Sequence, residues 1–332
     1  MSDIIFALNA TLPIVLMVVV GYFLKKVGLL DGEMGRAMNK LVFRVFLPAM
    51  LFLNMYKIEN LAKVSFRYVW YTLITTLVLF AIAIPTVRFY APSNDKRGSL
   101  LQSVFRANYA LVGIPLATSL FGEVGGIAAT VLSAFIIPVY NALAVIGLCV
   151  FSPDKKPSVK RVLIGIAKNP LIQSIAAGFV ALGIRAIFVR LGVEFRLTDI
   201  KPVYSTLNSL SSVATPLALL VLGAQFELSA IPTLKKYITF GVVARNLVVP
   251  TIGVGVAYLI GGFSGAEFAT FVAVFCTPVA VSSVPMAQEM DADVALAGQL
   301  VIWSTVFSAA TIFLASYVLK ALGVFRQVEH LK

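Results

Sequence analysis

Histidine occurs once, at His330, cysteine twice, at Cys149 and Cys276, and acidic residues number only 15 in a chain of 332. Metal centres and imidazole bases are built from those residue types, and no ligand-spaced cluster of them exists here. Both cysteines fall inside apolar runs and read as packed core. Nor does the chain carry a nucleophile elbow, a zinc-protease pair, a phosphate loop or a dinucleotide fingerprint. A membrane enzyme would need an intramembrane acid and base or a metal, so enzymatic chemistry is not expected, and no cofactor is implied.

What is abundant is apolar. Hydrophobic residues make up 59% of the chain and charged residues 13%, with a mean hydropathy of +0.94. That balance excludes a water-soluble domain of this length. Crossing a hydrocarbon core of about 30 Å takes about 20 residues. Windows of that kind predict spans near Ile4 to Leu24, Leu41 to Tyr56, Tyr68 to Tyr90, Leu100 to Phe121 and Ile127 to Phe151. Five more follow, near Leu171 to Phe188, Val203 to Phe226, Tyr237 to Ile260, Phe268 to Met290 and Val294 to Leu322. The expected fold is therefore an all-α polytopic membrane protein of ten helices in two halves of five, residues 1–151 and 169–332, joined by a cytoplasmic linker over 152–168. An odd number of spans per half makes the second half start on the opposite face, so the repeats are inverted.

The start of the chain, Met1-Ser2-Asp3, lacks the basic region of a cleavable signal. With the N-terminus outside, fourteen Lys and Arg fall on the cytoplasmic side against ten on the other, and the densest cluster, Lys155, Lys156, Lys160 and Arg161, lies in the central linker. The positive-inside rule then places both termini outside. The net charge of +12 follows from basic residues spread over loop ends, a pattern of membrane topology and not of a nucleic-acid partner.

Two spans break at a proline in like surroundings: Ala107-Asn108 leading to Gly113-Ile114-Pro115-Leu116-Ala117, and Thr277-Pro278 leading to Ser283-Val284-Pro285-Met286-Ala287. The two prolines are 170 positions apart, and so are Asn108 and Pro278. Unwound backbone in a bilayer is tolerated only where it is packed in protein or lines a wet cavity. Each break leaves half-helix ends with exposed amides and carbonyls, which suit an anion and a counter-ion. Candidate solute contacts are Asn108, Gly113, Pro115, Pro278, Ser282, Ser283 and Pro285. Pro13, Pro85, Pro138 and Pro250 read as plain kinks, and Pro48 with Pro216, 168 apart, as structural repeat partners. Among charges inside spans, Arg106 is a further solute contact or else snorkels to the cytoplasmic interface. Arg245 is expected to pair with Glu267 or Glu227, and Arg44 to be interfacial. Gln225, Gln288 and Glu289, with Arg245, are candidates for a coupling ion or for a supporting shell.

The run Leu12-Pro13, Gly21-Tyr22, Gly28-Leu29-Leu30, Asn39-Lys40-Leu41-Val42-Phe43 and Leu47-Pro48-Ala49-Met50-Leu51-Phe52 resembles the opening of the auxin efflux carrier family, whose bacterial members include malate and malonate permeases. Val112-Gly113-Ile114-Pro115-Leu116, Thr215-Pro216-Leu217-Ala218-Leu219, Gly223-Ala224-Gln225, Arg245 with Pro250, and Ser304-Thr305 with Ser308 and Thr311 are similar to its later signatures. The resemblance implies a place in the bile acid, auxin and antiporter fold superfamily, with the fourth and ninth spans crossing at their breaks. It also implies an elevator, in which spans one, two, six and seven form a scaffold, often a homodimer, and spans three to five and eight to ten carry the solute. In the plant PIN branch the asparagine of the first crossover contacts the substrate carboxylate, which maps onto Asn108. Around Val281-Ser282-Ser283-Val284 the chain departs from the plant pattern, and the long plant central loop is absent, so a small organic acid fits better than auxin. Na⁺ coupling, H⁺ coupling and uncoupled flux are each compatible with these residues, a sensor or channel on the same fold is the alternative reading, and the expected location is a bacterial inner (plasma) membrane.

Overall fold

The computed structural model describes residues 2–57, 66–152, 159–226 and 228–325. Regular structure among the described residues is helical, and strand-type pairing is limited to one antiparallel bridge between Ala107 and Val279. In chain order the helices are α1 Ser2–Lys26, α2 Gly32–Tyr56, α3 Phe66–Tyr90, α4 Asn94–Phe105, α5 Tyr109–Val150 and α6 Val159–Lys168. They continue as α7 Pro170–Arg190, α8 Lys201–Ala224, α9 Ile231–Ile260, α10 Gly265–Phe275, α11 Ser283–Glu289 and α12 Val294–Ala321. Among the described residues, seven helices, namely α2, α3, α5, α7, α8, α9 and α12, are long and apolar enough to cross a bilayer.

The difference from ten expected spans has identifiable causes. The first expected span lies within α1, which is 25 residues long. The fourth is cut into α4 and the start of α5 by extended backbone at Arg106 (φ −96°, ψ 106°) and Asn108 (φ −79°, ψ 59°). The fifth is the remainder of α5, set off by non-helical Phe121 (φ −138°) and Gly122 (φ 61°), a conformation glycine adopts without steric cost. The ninth is cut into α10 and α11. The linker expected over 152–168 holds a helix that periodicity could have shown, α6, with Leu163 and Ile164 exposed on it.

Local chemistry sets the starts of these helices. Asp31 caps α2 by accepting from Met34 N (2.7 Å), Asn169 caps α7 ahead of Pro170, and Asp293 caps α12 at Leu296 N (2.8 Å). Ser264 and Glu267 form a reciprocal capping box on α10. Three helices widen to a π-turn just before a proline: Val42–Phe46 before Pro48, Tyr109–Gly113 before Pro115, and Ala244–Val248 before Pro250. The proline ring would collide with the carbonyl four residues back, and inserting one residue into the turn moves that carbonyl aside. The amide before each proline accordingly donates five residues back, as from Ile114 N to Tyr109 O. Pro216 sits in α8 with no such turn, so Pro48 and Pro216 do not act alike.

Packing relies on small residues, as expected where lipid removes the hydrophobic drive between helices. A side chain at Gly21 of α1 would overlap the Leu220 carbonyl of α8, and one at Gly223 of α8 would overlap the Val18 carbonyl of α1. A side chain at Gly178 of α7 would meet Met55 Cβ at 2.8 Å and the Phe52 carbonyl of α2 at 2.9 Å, a looser but still close approach. On the outside, α3 exposes Trp70, Ile74, Leu77, Val78 and Ile82, a face suited to acyl chains. Inside, α10 lies along α5 with Phe271, Val272, Ala273 and Val274 fully buried.

Substituting Gly223→Val is expected to lower stability in detergent by about 2 kcal/mol through overpacking. Gly183→Ala, at a position with open space around it, should leave the thermal unfolding midpoint unchanged or slightly raised.

Candidate functional site

The two breaks meet. Asn108 N donates to Pro278 O at 2.8 Å and Ala280 N donates to Arg106 O at 3.3 Å, so residues 106–108 and 278–280 pair as short extended strands inside a helical protein. Residues placed in correspondence by the 170-residue spacing are thus in direct contact. The pairing satisfies amides and carbonyls that the broken helices would otherwise leave bare. Ser304 of α12 adds to it, its hydroxyl accepting from Val279 N at 3.0 Å. Gly113 lets the break approach α10, because a side chain there would lie 2.8 Å from the Ala273 carbonyl.

Beside this crossing lies a cavity of about 170 Å³, walled by Arg106, Asn108, Asn141 and Ser282 on one side and by Leu47, Met50, Leu171, Ala214 and Ala218 on the other. Asn108 is 8% exposed, and its Nδ2 has no hydrogen-bond partner among the described residues. Arg106 is 2% exposed, which rules out the snorkelling alternative. Its Nη1 donates to Gln102 Oε1 (2.8 Å) and Met286 Sδ (2.8 Å), and its Nη2 to Asn141 Oδ1 (3.0 Å) and Ser282 Oγ (2.9 Å). The guanidinium therefore ties both breaks and α5 together.

The family described as Membrane transport protein matches residues 6–158 and 154–316. The chain belongs to this family. It is the family of the auxin efflux carriers and their PIN-like relatives, and the resemblance read in the sequence holds. An uncharacterized transporter of Methanothermobacter thermautotrophicus is 24% identical over 315 residues, covering 94% of this chain and 98% of that protein. A second uncharacterized transporter, from Methanocaldococcus jannaschii, is 25% identical over 330 residues, with 94% and 98% covered. A polytopic helical protein with broken, paired spans is in keeping with membership in this membrane transport protein family.

The remaining sequence candidates separate into two places. Ser282 lines the cavity, whereas Ser283 is buried with its hydroxyl unpartnered among the described residues and is not part of the wall. Pro115 and Pro285 lie in the first turns of the helices that leave the crossing, and Pro278 supplies its carbonyl to Asn108. Gln225, Gln288 and Glu289 sit apart from the cavity, at the end of α11. Asn39 Nδ2 donates to Gln225 Oε1 (2.9 Å) and Gln288 Oε1 (3.0 Å), and Gln288 Nε2 to Arg36 O (3.1 Å). Arg44, whose side chain is 59% exposed, pairs with Glu289 at 3.1 Å, an exposed contact of little energetic weight.

Arg245 differs from expectation. Glu267 is occupied in the α10 capping box, and Glu227 lies outside the described residues. Arg245, 1% exposed, donates instead from Nε to Thr277 O (2.7 Å) and from Nη2 to Val274 O (2.6 Å). Val274 O lies in the last turn of α10, which a cation complements, and Thr277 O lies in the break just beyond it, so the partners are main chain and no carboxylate was needed. Sequence reading passed over Gln102, Asn141 and Met286. The first two carried a signal, since amide side chains inside apolar spans are costly without partners.

Arg245→Ala should orphan two buried carbonyls and open a void, lowering stability by about 3 kcal/mol, readable as a drop in the detergent unfolding midpoint. Ser282→Ala should alter the order of preference among transported solutes, while Ser283→Ala leaves that order intact; equal effects from both would argue against the assigned cavity wall.

Proposed function

We propose that this chain is a secondary transporter of small organic anions, mono- or dicarboxylates of the size of malonate or malate, working by alternating access. The observation that carries the proposal is Asn108, which lines a cavity at the pairing of two broken helices and whose buried amide nitrogen has no partner among the described residues. Two amide hydrogens can grip one carboxylate, and a low-dielectric surrounding strengthens each bond. A cavity of about 170 Å³ is roomy enough for several waters or for a short-chain acid. Pro278, Gly113, Pro115 and Pro285 act by shaping the unwound segments; Ser282 completes the wall.

In this reading the architecture is a ten-span inverted repeat with both termini outside, in a bacterial plasma membrane. Spans one, two, six and seven, which are α1, α2, α7 and α8, form a dimeric scaffold, and the rest move as an elevator. The close glycine contacts of α1 with α8 and of α2 with α7 support grouping those four. No carboxylate of the described residues lines the cavity, which favours transport that persists when Na⁺ is replaced by choline. A channel on the same fold would pass solute without saturation.

Asn108→Ala should abolish uptake of labelled acid into proteoliposomes while membrane insertion and the unfolding midpoint stay near wild type. Wild-type uptake by that variant would remove Asn108 from the site. Counterflow with malonate, malate, lactate and aromatic acids, screened beforehand by thermal shift, separates carrier from pore, since only a carrier shows saturable exchange.

A further inference from the structure

Arg44, Arg245 and Arg106 stand in different electrical environments. Arg44 meets a carboxylate, Glu289, at an exposed edge. Arg245 rests on the Val274 carbonyl in the last turn of α10, whose helix dipole supplies partial negative charge, and on the Thr277 carbonyl just beyond that helix. Arg106 bonds to neither kind of group. Its four hydrogen bonds end on two amide oxygens, a hydroxyl and a thioether, all uncharged, and the thioether is a weak acceptor. The ion pairs among the described residues are Arg44 with Glu289 and Lys96 with Asp95 and Asp293, none of which involves Arg106. A guanidinium stays protonated, so a full positive charge stands beside the cavity with its hydrogen bonds made, the partial charge of the α4 C-terminus near it and no carboxylate to neutralise it. A buried charge in that condition is held at high cost unless an opposite charge joins it.

We propose that Arg106 is the fixed counter-charge of the site: it makes the site demand an ionised solute, and its charge travels with the site when the site is empty. The proposal rests on the organic-anion carrier reading and deepens it. Asn108 recognises the carboxylate by shape and hydrogen bonding, as it would an amide oxygen. Arg106 discriminates by charge, because only an anion neutralises it. One bound carboxylate brings the local sum to zero, so the loaded site crosses the field as a neutral unit and the empty site crosses as a cation. Membrane voltage therefore acts on the empty leg. An inside-negative potential pulls the empty site inward, which speeds net export of the anion and slows net import. A full elementary charge crossing 100 mV biases an equilibrium about 50-fold, and a partial crossing proportionally less in the exponent.

The test uses malonamate, with one carboxylate, against malonamide, an uncharged isostere of the same size. Purified wild-type protein should be stabilised by malonamate at concentrations at least about tenfold below those needed with malonamide. Arg106→Gln should collapse that ratio to within about threefold, and Arg106→Lys should keep most of it; a merely structural arginine would shift the unfolding midpoint and leave the ratio alone. In wild-type proteoliposomes, exchange of labelled for unlabelled malonamate should be flat across an imposed 100 mV, while net efflux accelerates severalfold with a negative interior. This second measurement needs no variant to fold. Retained charge discrimination in a folded Arg106→Gln protein, or exchange as voltage-sensitive as net efflux, would overturn the proposal while leaving the carrier reading standing. Failure of malonamate, malonate and every acid of the screening panel to bind would instead bring down the carrier reading, and this proposal with it.

Discussion

Everything near the site depends on main chain pairing with main chain at the centre of an apolar molecule. Residues 106–108 and 278–280 exchange backbone hydrogen bonds where water is scarce and an unpaired amide or carbonyl costs several kcal/mol. Each break is therefore unstable alone and tolerable only against the other. The same requirement explains the supports gathered around the pairing: Ser304 on the Val279 amide, Arg245 on the Val274 and Thr277 carbonyls, and Gly113 clearing space for the Ala273 carbonyl. Their common function is to leave no polar backbone bare except where a cavity can receive a solute.

Around that pairing, polar side chains divide into a working group and a peripheral group. Arg106, Asn108, Asn141 and Ser282 face a common space, drawn from both breaks and from α5. Asn39, Gln225 and Gln288 bind one another at the tip of α11, joining α2 and α8 to the short helix that leaves the second break. Polar contacts of the second kind tie elements together across a boundary between helices, and amide pairs of this sort exchange partners at little net cost.

Much of this was legible before any coordinates. The paired prolines and their 170-residue spacing located both breaks, and the family signatures followed from Leu47-Pro48 and Gly113-Ile114-Pro115. Span boundaries were less legible, because hydropathy reads composition and is blind to backbone angles: Phe121 and Gly122 are as apolar as their neighbours yet end a half-helix. The partner of Arg245 was missed for a different reason. Charge pairing was sought in carboxylates, while a helix C-terminus offers carbonyl oxygens from any sequence. Asn141 and Gln102 escaped because a lone amide carries no spacing to match, and only the fold brings them to the guanidinium of Arg106.

The glycine contacts between α1 and α8 have a mechanical corollary. Where Gly21 and Gly223 press against opposing carbonyls, the two helices touch main chain to main chain with no side chain between them to re-rotamerise. Sliding one along the other would drive peptide oxygens over Cα atoms, so the pair behaves as a single stiff slab. Any large displacement in this protein must then be absorbed by the connecting turns and the widened proline turns, whose loosened hydrogen bonding gives the chain its compliant points.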